Sequence, residues 1–124
     1  MEELLARVTQ ATGLDAATAT TAIGIILNFL KKEGPPTEVN QLLASMPGAE
    51  SAMAQAPESG GLAGMMAGMG GGVMALGGQL MGAGVSMGQM QPLGRELFAF
   101  GREKAGEDVM GAIVGSIPGL TQFV

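Results

Sequence analysis

Histidine, cysteine, tryptophan and tyrosine are all absent from this chain. Without histidine there is no Ser-His or Cys-His nucleophile pair, and the commonest general base and metal ligand are missing. Without cysteine no disulfide can form, and thiol redox chemistry has no carrier. Four phenylalanines are the only aromatic residues. A core must therefore be filled by aliphatic side chains and by the 11 methionines, which adapt to irregular gaps but specify packing loosely.

Basic residues are scarce as well: six Lys and Arg stand against 11 Asp and Glu, for a net charge of −5. Nucleic-acid binding needs a basic face to neutralise phosphates, usually with aromatics to stack on bases. The same scarcity removes an electrostatic hold on anionic lipid. The opening Met1-Glu2-Glu3-Leu4-Leu5 is acidic and amphipathic, unlike a signal peptide with its basic start and apolar run. The expected location is the cytoplasm.

What carboxylates and hydroxyls remain have plain structural explanations. Glu2-Glu3 and Glu107-Asp108 fall at expected helix starts, where negative charge suits the helix dipole. Ser45 and Ser116, which could be imagined beside Lys104, sit in the last polar turn before Pro-Gly. Thioethers select Cu(I), and Met65, Met66, Met69, Met87 and Met90 are closely spaced. Without histidine or cysteine beside them, filling helix contacts is the better account. The glycine-rich stretch lacks the Gly-Lys-Ser/Thr ending of a phosphate loop. The chain is expected to be no enzyme, with no catalytic residue, no cofactor, no metal and no evident small-molecule substrate.

What is present is helical periodicity. Residues 2–12 form a short amphipathic helix with Leu4, Leu5, Val8 and Ala11 on one stripe, stopped by Gly13. Asp15 caps a longer helix over 16–33, with Ala19, Ile23, Ile26, Leu27 and Leu30 at helical spacing and Lys31 and Lys32 in its last turn. Gly34 ends it, Pro35-Pro36 turns the chain, and Val39, Leu42, Leu43 and Met46 make the stripe of a third helix before Pro47-Gly48. Residues 14–47 are a helical hairpin.

The plan repeats at an offset of 71, where residues 13–53 fall on 84–124 without a gap. Gly13 meets Gly84, Phe29 meets Phe100, and Ser45, Pro47 and Gly48 meet Ser116, Pro118 and Gly119. The stripe Val39, Leu42, Leu43, Met46 lands on Met110, Ile113, Val114, Ile117. Only five of the 41 pairs are identical, so the register of stripe and ending carries the case for duplication. The second hairpin, 85–118, has helices near 89–104 and 107–117, with Pro92 in the first turn of the former.

Between the hairpins no charged residue occurs from Ser59 to Gly94, and 11 of the 26 residues in 59–84 are glycine. Eleven glycines would cost an isolated helix roughly 10 kcal/mol relative to alanine, comparable with the stability of a whole domain. Gly60, Gly64, Gly68 and Gly72 recur every fourth residue, and Gly78 and Gly82 repeat the interval. On a helix they line one face and admit a close neighbour, which makes them the candidate interaction surface.

Three stretches resemble a known family: Ala-Thr-Gly-Leu-Asp-Ala-Ala-Thr-Ala at 11–19, Phe-Leu-Lys-Lys-Glu-Gly at 29–34 and Met-Pro-Gly-Ala-Glu at 46–50. The chain is similar over nearly its whole length to the bacterial VcgC/VcgE family of small helical proteins of unknown function. That resemblance implies a hairpin ending in Pro-Gly-Ala, a glycine-rich middle and a helical C-terminal part. It carries over no catalytic or binding residue, and this sequence departs from the pattern in its many methionines and in Pro92.

The expectation is an all-α single domain over 1–124, of five or six short helices, with the stripes of the two hairpins packed together about a pseudo-twofold axis. Leu42, Leu43, Ile113 and Val114 are expected in the core. The expected role is structural or interaction-mediating, as a homo-oligomer that binds no nucleic acid. The alternative is a membrane-associated protein inserting residues 61–87, a length that could span a bilayer but with few Leu, Ile or Val and no flanking anchors.

Overall fold

Helix boundaries follow local chemistry closely. The computed structural model describes residues 2–55 and 72–117, and these form an all-α structure of seven helices. They are α1 (Glu2–Thr12), α2 (Ala16–Glu33), α3 (Pro36–Ser45), α4 (Ala49–Gln55), α5 (Gly72–Gly82), α6 (Met87–Ala105) and α7 (Glu107–Ser116). Gly13 and Gly84 end the first and fifth helices at φ of 79° and 106°, a left-handed turn that glycine makes without the Cβ penalty. Asp15 and Ser86 follow with extended backbone, φ/ψ of −73°/163° and −79°/162°, and open α2 and α6.

Asp15, Gly34 and Pro47-Gly48 open or end their helices as expected, with details the sequence did not supply, and the placement of Pro92 is corrected. Asp15 holds the N-cap position of α2, but its side chain makes no capping bond. Gly34 closes α2 with φ of −87°, not a left-handed turn. Glycine is required there by space: a Cβ would lie 2.6 Å from the Leu30 carbonyl oxygen and 3.0 Å from Val39 Cγ2. Pro92 lies inside α6, because Ser86 starts that helix earlier than the proline suggested. An interior proline removes one backbone bond, here to the carbonyl of Gly88, and Gly88 is exposed. Finally the chain does not stop being helical at Pro47-Gly48. Gly48 turns at φ of 90°, and α4 follows with Ala49 and Ala52 buried.

The core forms around α2 and α6. Residues 22–27 of α2 are buried on every side, as expected of a helix apolar all round, and α1, α3, α4 and α5 pack on it. Helix α6 buries Met90, Leu93, Leu97, Phe98 and Phe100 and receives α1, α3, α5 and α7. Each large apolar side chain withdrawn from water contributes about 1.5–3 kcal/mol. Within the paired stripes, Val39, Leu42, Met46, Met110, Ile113 and Ile117 are buried. Leu43 and Val114 are only half-buried, against expectation. Each follows the central residue of its stripe by one position, a step of about 100° around the helix, so neither faces the partner hairpin squarely.

Burial keeps the sequence offset of 71. Leu14, Ala19, Ala22, Ile23, Ile26, Leu27, Phe29 and Leu30 are buried on one side of the comparison, and Val85, Met90, Leu93, Gly94, Leu97, Phe98, Phe100 and Gly101 on the other. The half-buried pair Leu43 and Val114 match as well. The clear exceptions are Gly24 and Ile25, buried in α2, whose counterparts Arg95 and Glu96 are exposed and half-buried. That side of α2 lies under α4, which is tied there by the Asn28 side-chain amide donating to the Met53 carbonyl at 3.1 Å. Helix α5 takes the place before α6 that α1 takes before α2. Its buried Leu76 and Leu80 stand four apart, as do Leu4 and Val8, with one residue fewer before the glycine turn.

Candidate interaction surface

Leu76 and Leu80 anchor α5 to the core and so fix which side of it faces outward. Gly78, Met81 and Gly82 are exposed there, and Met87 and Gly88 are exposed in the first turn of α6 beyond the elbow. Met81 and Met87 are the large apolar side chains with most exposure among the described residues, at 56% and 74%. A Cβ placed on Gly77, Gly78, Gly82 or Gly88 would meet nothing within 4 Å. Among the described residues, no neighbouring helix therefore approaches Gly78 or Gly82 closely. Gly72 opens α5, while Gly60, Gly64 and Gly68 lie outside the described residues.

Helix α1, which precedes α2 as α5 precedes α6, provides a comparison. Its outward positions carry Glu2, Glu3, Ala6 and Gln10, and Arg7 donates to Glu103 at 2.7 Å and to Glu96 at 3.4 Å across to α6. The hydrogen bond to Glu103 is the largest influence pushing the Arg7 guanidinium pKa above its ordinary value. Arg7 and Lys104 also lie 5.8 and 5.4 Å from the centre of the Phe100 ring. Position in the fold does not demand an uncharged exterior, since α1 is charged on its own. The exposed Met81 of α5 escaped the periodicity because it follows core-facing Leu80 directly, one step off the stripe.

The remaining candidates do not gather into one place. Glu2-Glu3 and Glu107-Asp108 are exposed in the first turns of α1 and α7. Ser45 donates to the Gln41 carbonyl at 2.9 Å. Met87 points to solvent while Met90 is in the core, and Met65, Met66 and Met69 lie outside the described residues. Among the described residues no group of three or more carboxylates is placed to hold a metal ion. A cleft of about 320 Å³ runs between α2, α3 and α4, with Lys31 and Glu50 beside Leu43, Met53 and Ala54. Asn28, which also lines it, is engaged with the Met53 carbonyl.

No single helix among the described residues is long and apolar enough to cross a membrane. Helix α5 spans 11 residues and the chain turns at Gly84, so it does not continue unbroken to residue 87. No family model, no curated protein and no solved structure matches this chain.

Proposed function

We propose that this chain is a non-enzymatic interaction protein that associates with copies of itself through the outer face of α5 and the elbow into α6. The supporting observation is the exposure of Met81 and Met87 on a surface with open space over Gly77, Gly78, Gly82 and Gly88. Chains of net charge −5 repel one another, and no charged residue between Ser59 and Gly94 adds to that repulsion at this face. Burying the two methionines at a contact supplies about 1.5–3 kcal/mol for each side chain fully withdrawn from water. The glycines then let two helix backbones approach. Closed twofold pairing needs the same patch on both copies, and one patch of this kind satisfies it. The resemblance to the VcgC/VcgE family of small helical proteins of unknown function belongs to the same reading.

Light scattering on the detergent-free protein tests this directly. The expected result is a defined mass of two or more chains, reduced to one chain by Met81→Glu with Met87→Glu while the helical circular dichroism is kept. A parent protein that is monomeric at every concentration, with or without vesicles present, would overturn the proposal. Mass recovered only with lipid would instead favour the membrane-associated alternative.

A further inference from the structure

We infer that the protein is two copies of one three-helix unit joined in a single chain. The contact between its halves is then a self-complementary interaction surface, and the partner it fits is another copy of the same unit. The unit comprises α1–α2–α3 in residues 2–46 and α5–α6–α7 in residues 73–117. It is larger than the hairpin, because α5 precedes the second hairpin as α1 precedes the first, with Leu76 and Leu80 buried as Leu4 and Val8 are.

A two-fold contact is recognised by reciprocity: where position i of one copy touches j of the other, j of the first touches i of the second. Two junctions between the halves follow this pattern at the level of helices, whereas the packing of α3 on α6 has no equally extensive counterpart between α7 and α2. Gln89, at the start of α6, donates to the carbonyl of Thr12 at the end of α1. Its counterpart at the offset of 71 is Thr18, at the start of α2. A Cβ on Gly84, at the end of α5, would lie 3.7 Å from the Thr18 methyl. The first helix of each half thus ends on the second helix of the other. The stripes of α3 and α7 meet between them, as equivalent elements must at the axis.

The halves also differ in a way that repeated units develop. A Cβ on Gly101 would lie 2.8 Å from the Met110 sulfur and 3.1 Å from Leu42 Cδ1. At the offset of 71 the first half has Leu30 for Gly101 and Val39 for Met110, all four being buried. One half has a large residue on the long helix and a smaller one on the short helix. The other has none on the long helix and a long thioether on the short helix. On this inference Leu30 meets Val39 as Gly101 meets Met110, and volume has moved across equivalent contacts, as close packing requires when one member of a pair changes.

The experiment transplants each pair into the other half of the full chain and follows thermal melting by circular dichroism. Gly101→Leu should lower the midpoint, and Gly101→Leu with Met110→Val should melt above it. Steric relief alone would give that much. The deciding arm is the reciprocal exchange, since equivalence of the two halves requires residue 39 to fill a space left at residue 30. Leu30→Gly with Val39→Met should melt above Leu30→Gly. If Gly101→Leu fails to fold, the double variant is compared with Met110→Val instead, and should melt above it. A reciprocal pair that melts at or below Leu30→Gly overturns the inference.

Discussion

Gln89 joins the end of α1 to the start of α6, using both ends of its side-chain amide. Its Nε2 donates to the Thr12 carbonyl at 3.0 Å, and its Oε1 accepts from the Ser86 backbone N–H at 3.0 Å. The terminal carbonyls of one helix and the terminal amides of another otherwise lack intrahelical partners. One residue satisfies a member of each set and fixes the angle at which the two halves meet. Gln89→Ala loses both bonds, each worth about 0.5–1.5 kcal/mol. The expected outcome is a loss of stability of about 1–3 kcal/mol in urea denaturation, with little change in the slope of the transition. A midpoint equal to that of the parent would mean that water replaces both bonds at no cost.

Adjacent leucines in α3 should behave differently. Leu42 is buried against the opposite half, whereas Leu43 is half-buried beside the cleft under α4. Leu42→Ala should destabilise by about 2–5 kcal/mol, the usual cost of truncating a core leucine. Leu43→Ala should cost clearly less in the same urea titration. Equal effects would place Leu43 deeper in the core than its burial indicates.

Glycine to alanine substitutions separate two uses of that residue. Gly34→Ala pushes a Cβ to 2.6 Å from the Leu30 carbonyl and should destabilise, although its φ of −87° suits any residue. Gly78→Ala meets open space in a helix and should stabilise the monomer fold by up to about 1 kcal/mol. Gly78→Leu should also favour the helix, yet it should lower the assembled mass in sedimentation if another copy packs there. A mass unchanged by Gly78→Leu would remove Gly78 from the contact.

Arg7 tests how much charge matters to the seating of α1. Its partners Glu96 and Glu103 are 30% and 55% exposed at the side chain, and exposed ion pairs contribute about 0–1 kcal/mol. Glu103→Gln should therefore lower stability by less than about 1 kcal/mol at low salt. The difference from the parent should shrink at 1 M salt, where screening acts over roughly 3 Å. A loss that is large and independent of salt would point instead to packing of the Arg7 stem on Phe100.

Sequence alone determined α1, α2, α3, α6 and α7, because each is written in residues close along the chain. Gly13, Gly34, Pro35-Pro36 and Pro47-Gly48 punctuate the first half, and the stripes of α2, α3 and α7 need only helical spacing to be recognised. The chemistry missing for want of histidine and cysteine was equally a matter of composition. Tertiary structure decided whatever depends on neighbours distant in sequence. Helix α4 is short, and its small buried residues Ala49 and Ala52 gain their place from α2, since so short a helix is marginal on its own. Gly34 and Gly101 look like any other glycines until Val39, Leu42 and Met110 crowd them. On α5, the exposure of Met81 beside buried Leu80 is set by which face the rest of the molecule covers. Local propensity is carried by the nearest few residues, whereas burial, close approach and an uncovered face are properties of pairs of elements that only the folded chain brings together.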